Sequence, residues 1–276
     1  MTEFRPSRFE ILPLIIKNLL IINVLFFLAQ KTIGLQGFFR LEDFFALHHV
    51  KSPLFKPWQL ITHMFLHDPG NIMHLIGNMF MLWMFGSVLE NLWGPKRFLI
   101  FYLICGLGAA LLHLGFLWFD FSPLLQDLTQ LKLRPSPQLM ASFYQEYGLF
   151  QDATATSLLN DYLKAPDNQI VLEQAMTYFS NLTIKAISYP TLGASGAVFG
   201  VLAAFVYLFP NTYIYLYFLV PVKAKWIGLI YFGFEVYQAW QNSAGDNVAR
   251  WAHIGGAIVG FILVLSWNKA NRKKLY

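Results

Sequence analysis

Six apolar stretches nearly free of charge dominate this sequence, at roughly residues 11–30, 72–92, 98–119, 193–209, 225–241 and 249–267. A helix needs about 20 apolar residues to cross a bilayer. In hydrocarbon every backbone polar group must be satisfied internally, which leaves helices as the natural spanning element for such runs. The stretches predict an all-α membrane protein of six transmembrane helices, forming a single membrane domain over residues 1–276. Charged residues make up 13% of the chain, against about 25% in soluble domains. Arg5 and Arg8 precede the first stretch without a signal-peptide h-region and cleavage site, so that stretch reads as a retained span.

The net charge of +5 lacks the basic stripe with interleaved aromatics that nucleic-acid binding requires, and no nucleic-acid partner is expected. The charges read better as topology signals. Arg5, Arg8, Lys17, Lys96, Arg97, Lys223, Lys225, Lys269, Arg272, Lys273 and Lys274 flank the spans on one side. The other side has nine basic residues over far more loop sequence, together with most of the acids. Basic residues in short loops stay cytoplasmic. Both termini are therefore expected in the cytoplasm, with connections 31–71, 120–192 and 242–248 outside. The 120–192 connection, broken by Pro135, Pro137 and Pro166, predicts a small helical outer-face insertion between spans three and four. Helical patterns run from Ser142 to Phe150 and from Gln169 to Phe179. The lone cysteine, Cys105, excludes an internal disulfide.

Polar groups inside spans are costly and mark functional candidates. His74 and Asn78 are four residues apart and share one helix face; either they tie helices together or they donate hydrogen bonds to a ligand. Ser195 lies in Gly193-Ala-Ser-Gly196, with Gly196 and Gly200 at a spacing that lets another helix approach. A serine there can also merely bond its own i−4 carbonyl. His253 is followed by Gly256 and Gly260 at the same spacing, and a lone intramembrane histidine is often only an interhelical hydrogen-bonding group. Taken together, the three clusters make a chemical set. Two glycine-faced helices can bring a serine and a histidine within reach, and serine becomes a good nucleophile only when a base takes its proton. His74, Asn78 and the Ser195 backbone N–H can then hold the negative charge that attack on a carbonyl creates.

With these residues in place, the sequence resembles the rhomboid family. The matching pieces are His74-xxx-Asn78, Gly193-Ala-Ser195-Gly196 and Ala252-His253-xx-Gly256-xxx-Gly260. Thr62-His63, Phe65-Leu-His67, Glu90 to Gly94, Arg97-Phe98 and Pro221 to Trp226 extend the likeness. The resemblance implies a six-span bundle and an intramembrane serine endopeptidase with a Ser195–His253 dyad and no third acid. It implies an oxyanion site from Asn78, His74 and Ser195, and Phe199 stacked on the histidine. The implied partners are single-span or polytopic membrane-protein substrates within the lipid bilayer, cut near the outer face after entry past span five, where Trp226, Phe232, Phe234 and Trp240 lie. No cofactor or metal is implied. A bacterial inner membrane is the expected location. Trp58-Gln59 replaces the Trp-Arg pair frequent in the family, and the 120–192 insertion exceeds a minimal connection. The alternatives are a catalytically silent rhomboid-like protein that binds membrane segments, and a transporter, for which Glu235 is the main acid within a span.

Overall fold

A computed structural model describes residues 9–34, 40–216, 219–241 and 248–272. Arg5, Arg8, Lys273 and Lys274 of the charge count, and most of the 242–248 connection, lie outside the described residues. The chain is mostly helical: α1 (Leu14–Gly34), α2 (Ile72–Trp93), α3 (Pro95–Leu133), α4 (Pro137–Glu146), α5 (Ala153–Lys164), α6 (Gln169–Ile187), α7 (Ser195–Leu208), α8 (Ala224–Gln241) and α9 (Arg250–Arg272). Helices thus occupy all six expected segments. Four of them, α1, α2, α3 and α9, have the length and apolarity of a membrane span. Helix α7 has 14 residues, or about 21 Å of rise, short of a hydrocarbon core of about 30 Å.

Two compact units form, one from residues 1–47, 56–114 and 190–276, the other from 48–55 and 115–189. In the first unit the decisive contact is between α7 and α9. A Cβ on Gly256 would fall onto the Gly196 carbonyl oxygen, and one on Gly260 would lie 2.5 Å from the Gly200 carbonyl oxygen. The two backbones touch because neither helix has a side chain there. Helix α3 closes the back of this crossing, with Ala109 against Gly196 and Cys105 against Gly200. Below it, Phe85, Phe98, Phe101, Tyr102, Val201 and Phe205 form a buried core. Helix α2 passes through a π-helical turn at Leu82–Gly86.

Buried polar side chains fix the ends and loops of this unit. The first N–H groups of a helix have no intrahelical acceptor. Glu90 of α2 supplies one, accepting from Ile15 N–H at 2.8 Å and Ile16 N–H at 2.9 Å at the start of α1. Gln30 of α1 donates to Glu42 and to the His67 carbonyl, and accepts from the His67 N–H. Gln59, fully buried, accepts from Lys56 N–H, while it and Trp58 donate to the Phe44 carbonyl. Gln59 therefore has its own part in holding this loop. The Tyr-Ile-Tyr-Leu run before α8 forms a short antiparallel hairpin, Tyr213–Leu216 with Val220–Lys223.

The second unit corrects several expected boundaries. The third apolar stretch was expected to end near 119, but α3 runs on through Pro123 to Leu133. Leu128 and Leu131, three residues apart on this extension, are buried with Met140, Phe143, Leu159 and Phe179. Burying that stripe outweighs the one backbone bond a proline removes. The expected helices at 142–150 and 169–179 are observed at Pro137–Glu146 and Gln169–Ile187, with α5 between them. Ser136, Asp152 and Asn168 cap the three helices at their N-termini. Asp152 accepts from Thr154 and Ala155 N–H and from the Tyr178 hydroxyl, which hold its carboxyl below the usual range.

Three outcomes follow from this packing. Gly256→Ala is expected to destabilise the protein by about 3 kcal/mol through forced overpacking. Gly77→Ala, where nothing lies within 4 Å of the added carbon, should leave the melting temperature in detergent unchanged or slightly raised. Equal melting of the two variants would show that the α7–α9 crossing is not close-packed. Glu90→Ala should cost roughly 3 kcal/mol, because two backbone donors lose a charged acceptor. The same thermal scan reads it.

Candidate active site

Ser195 is the first residue of α7, after a turn that only glycine enters freely. Gly193 has φ of +129°, a region that disfavours any Cβ. Its N–H donates to the His63 carbonyl at 3.0 Å. That bond ties the turn to the loop preceding α2. At the start of a helix the backbone N–H groups of Ser195 and its neighbours have no intrahelical acceptor and carry the positive end of the helix dipole.

The glycine crossing brings α9 against this end of α7. His253 lies one turn ahead of Gly256, and its Nε2 is 2.8 Å from Ser195 Oγ. The imidazole is stacked on Phe199, with centroids 4.4 Å apart and planes at 11°. Tyr231 of α8 packs on the far side of Phe199 at 4.9 Å. Both ends of the serine–histidine contact are thus fixed, one by backbone packing and the other by an aromatic face.

His74 and Asn78 lie on the neighbouring face of α2. The His74 ring atoms Cε1 and Nε2 would sit 3.0 Å from a Cβ on Gly193, and Ser195 Oγ would sit 3.5 Å from the same point. The Asp68 N–H donates to His74 Nδ1 at 3.4 Å. In the neutral ring the proton is then on Nε2, the nitrogen facing the serine turn. Asn78, 7% exposed, donates one amide hydrogen to the His74 carbonyl at 2.8 Å. An amide nitrogen has two hydrogens, so the second is available for another acceptor. Behind His74, His67 packs edge-on at 5.2 Å. Burial lowers the pKa of His63 to about 4 and of His67 to about 3, so both loop histidines are neutral at neutral pH.

One neighbour was not foreseen as part of the site. Glu235 of α8 is 3% exposed, and its Oε2 is 2.9 Å from His253 Nδ1. Arg250 Nη1 lies 3.4 Å from the same oxygen. The expectation of a serine–histidine pair without an acid beside it does not describe this geometry. Glu235 was legible as a costly acid in an apolar segment, but no spacing linked it to a histidine 18 residues on. Of the gate candidates on α8, Trp226, Phe234 and Trp240 are exposed and Phe232 is half-buried. Among the described residues, no group of three His, Cys, Asp or Glu side chains converges as a metal site.

As a chemical arrangement, the site joins the Ser195 hydroxyl to the His253 imidazole and brings the His74 ring to the turn that precedes the serine. It resembles known proteins in sequence as well. Residues 54–120 and 169–268 match the Rhomboid domain family, and 121–168 are left unmatched. RHOMBOID-like protein 12, mitochondrial, of Arabidopsis thaliana is 25% identical over 203 residues, 74% of this chain and 44% of that protein. Rhomboid protein 1, mitochondrial, of Saccharomyces cerevisiae is 37% identical over 103 residues, 35% of this chain and 28% of that protein. An uncharacterised mitochondrial rhomboid protein of Schizosaccharomyces pombe is 26% identical over 252 residues, 86% of this chain and 60% of that protein. The chain spans less than two thirds of the length of each of these relatives. With the family match covering more than half of its residues, this integral membrane protein belongs to the rhomboid family.

Proposed function

We propose that this chain is an intramembrane serine endopeptidase that cleaves transmembrane segments of membrane proteins near the outer face, with Ser195 as nucleophile and His253 as general base. The observation that carries the reading is the 2.8 Å contact between Ser195 Oγ and His253 Nε2. Serine needs such a base because its hydroxyl is almost wholly protonated at neutral pH. In the first step Oγ attacks the scissile carbonyl carbon and its proton passes to Nε2. The carbonyl oxygen becomes an oxyanion. The Ser195 backbone N–H, the His74 Nε2–H and the second Asn78 amide hydrogen are the donors assigned to it. Collapse of the intermediate expels the amine, which takes the proton back from Nε2, and leaves an acyl-serine. Water activated by the same imidazole then hydrolyses the ester.

Phe199 is assigned to holding the imidazole plane. Gly196, Gly200, Gly256 and Gly260 are assigned to keeping the two helices at contact distance. The 120–192 connection is read as an outer-face insertion. The loop charges support that side, and the interruption of the family match at 121–168 supports its being an addition. Both termini are read as cytoplasmic, a reading the same charges support. The membrane is read as a bacterial inner membrane. The mitochondrial names of the relatives favour a second reading, a mitochondrial membrane.

Detergent-purified protein should cut a generic single-span substrate near one end of its span, as read by mass spectrometry of the products. Ser195→Ala and His253→Ala should give no product while folding normally. Asn78→Ala should slow cleavage by about 10²–10³, the cost of one oxyanion donor. Cleavage retained in Ser195→Ala would refute the nucleophile. A well-folded wild type that neither cleaves nor reacts with a serine-directed fluorophosphonate would instead be a membrane-segment binding protein.

A further inference from the structure

Glu235 sits on a helix whose outward face is apolar. Trp226, Leu229, Ile230, Phe234 and Trp240 are all exposed, whereas Glu235 and Ala239, one turn apart, are buried. A carboxylate turned inward among apolar spans is costly unless it is paired or has work to do. Two partners converge on its Oε2, His253 Nδ1 at 2.9 Å and Arg250 Nη1 at 3.4 Å. The arginine is itself nearly buried, with 12% of its side chain exposed, and it lies over the Phe234 ring.

The two ring nitrogens of His253 are committed in opposite directions. One contacts the hydroxyl of Ser195 and the other a carboxylate. A carboxylate can only accept, so Nδ1 carries the hydrogen and, in the neutral ring, Nε2 presents its lone pair to the serine. We propose that Glu235 is a positioning residue that completes a Ser195–His253–Glu235 triad, fixing the tautomer of His253 and stabilising the imidazolium formed when Ser195 Oγ gives up its proton. In that step the proton moves from Oγ to Nε2. The Nδ1 hydrogen stays on the ring, Glu235 stays ionised, and the positive ring is held between Phe199 and the carboxylate. Arg250 balances the buried charge while the ring is neutral. The inference rests on the protease reading above and adds an acid to it.

The rival explanation is that Glu235 and Arg250 form only an ion pair that staples α8 to α9. Glu235→Gln, Glu235→Asp, Arg250→Gln and the double variant Glu235→Gln/Arg250→Gln separate the two. For each, kcat and KM on the single-span substrate, the rate of fluorophosphonate labelling of Ser195 and the melting temperature are measured. An amide can turn its NH2 toward Nδ1 and favour the tautomer with hydrogen on Nε2, which cannot take the serine proton. Glu235→Gln should therefore lose on the order of 10²-fold or more in kcat, with KM unchanged and labelling slowed in parallel. Glu235→Asp should regain at least tenfold over Gln. Arg250→Gln should lose less than Glu235→Gln. The double variant, which removes both charges, should recover stability but not kcat. Recovery of kcat in the double variant, or a Glu235→Gln kcat within threefold of wild type, would overturn the triad while leaving the protease reading intact. A wild type that neither cleaves nor labels would overturn both.

Discussion

The contact between the α7 and α9 backbones is the constraint on which the rest of the site depends. Gly196 and Gly200 face Gly256 and Gly260 without any side chain between them. Lipid offers little hydrophobic driving force for helices to associate, so close packing must supply much of it. The same closeness fixes where Ser195 and His253 stand, because each is within about one turn of a contact glycine on its own helix. A 2.8 Å hydrogen bond between side chains of two helices is a consequence of that crossing. Widening it by one methyl group would separate the hydroxyl from the ring.

Around this crossing, a few polar groups perform tasks that apolar packing cannot. Glu90 supplies acceptors to the open end of α1, Gln30 binds the loop backbone at His67, and the Gly193 N–H binds the His63 carbonyl. Each satisfies a backbone group that would otherwise be unpaired in a poorly solvated place. Their combined effect is positional. They hold the loop histidines, the glycine turn and the His74 ring close to the start of α7. Phe199 does the same for the imidazole by stacking.

Much of this was readable in the chain. The apolar segments gave the helices because a bilayer admits few alternatives, and the small-residue spacing after Ser195 and His253 named the faces that would touch. The end of the third helix was misjudged because the leucine stripe beyond residue 119 finds a core only once α4, α5 and α6 fold back. The third helix of the second unit, α5, was likewise missed, since its short amphipathic run of Ala, Thr, Leu and Tyr carries a weak signal without its partners. Glu235 was visible as an anomaly, but its partner was not. Its pairing with His253 depends on the rotation of α8, which no local pattern in the segment encodes.

By itself, then, the sequence determined that the chain is helical and membrane-embedded and which helices pack through bare backbone, and it marked a serine, two histidines, an asparagine and a phenylalanine as candidates for one chemical set. Those properties follow from composition and from spacing along single helices, where geometry is fixed by 3.6 residues per turn. Only the tertiary structure decided that the two ring nitrogens of His253 lie between Ser195 and Glu235, that Glu90 caps a helix 74 residues away, and that Trp226, Phe234 and Trp240 of α8 are exposed. Those outcomes depend on how helices distant in sequence rotate and settle against one another, and that is set by the packing of the whole.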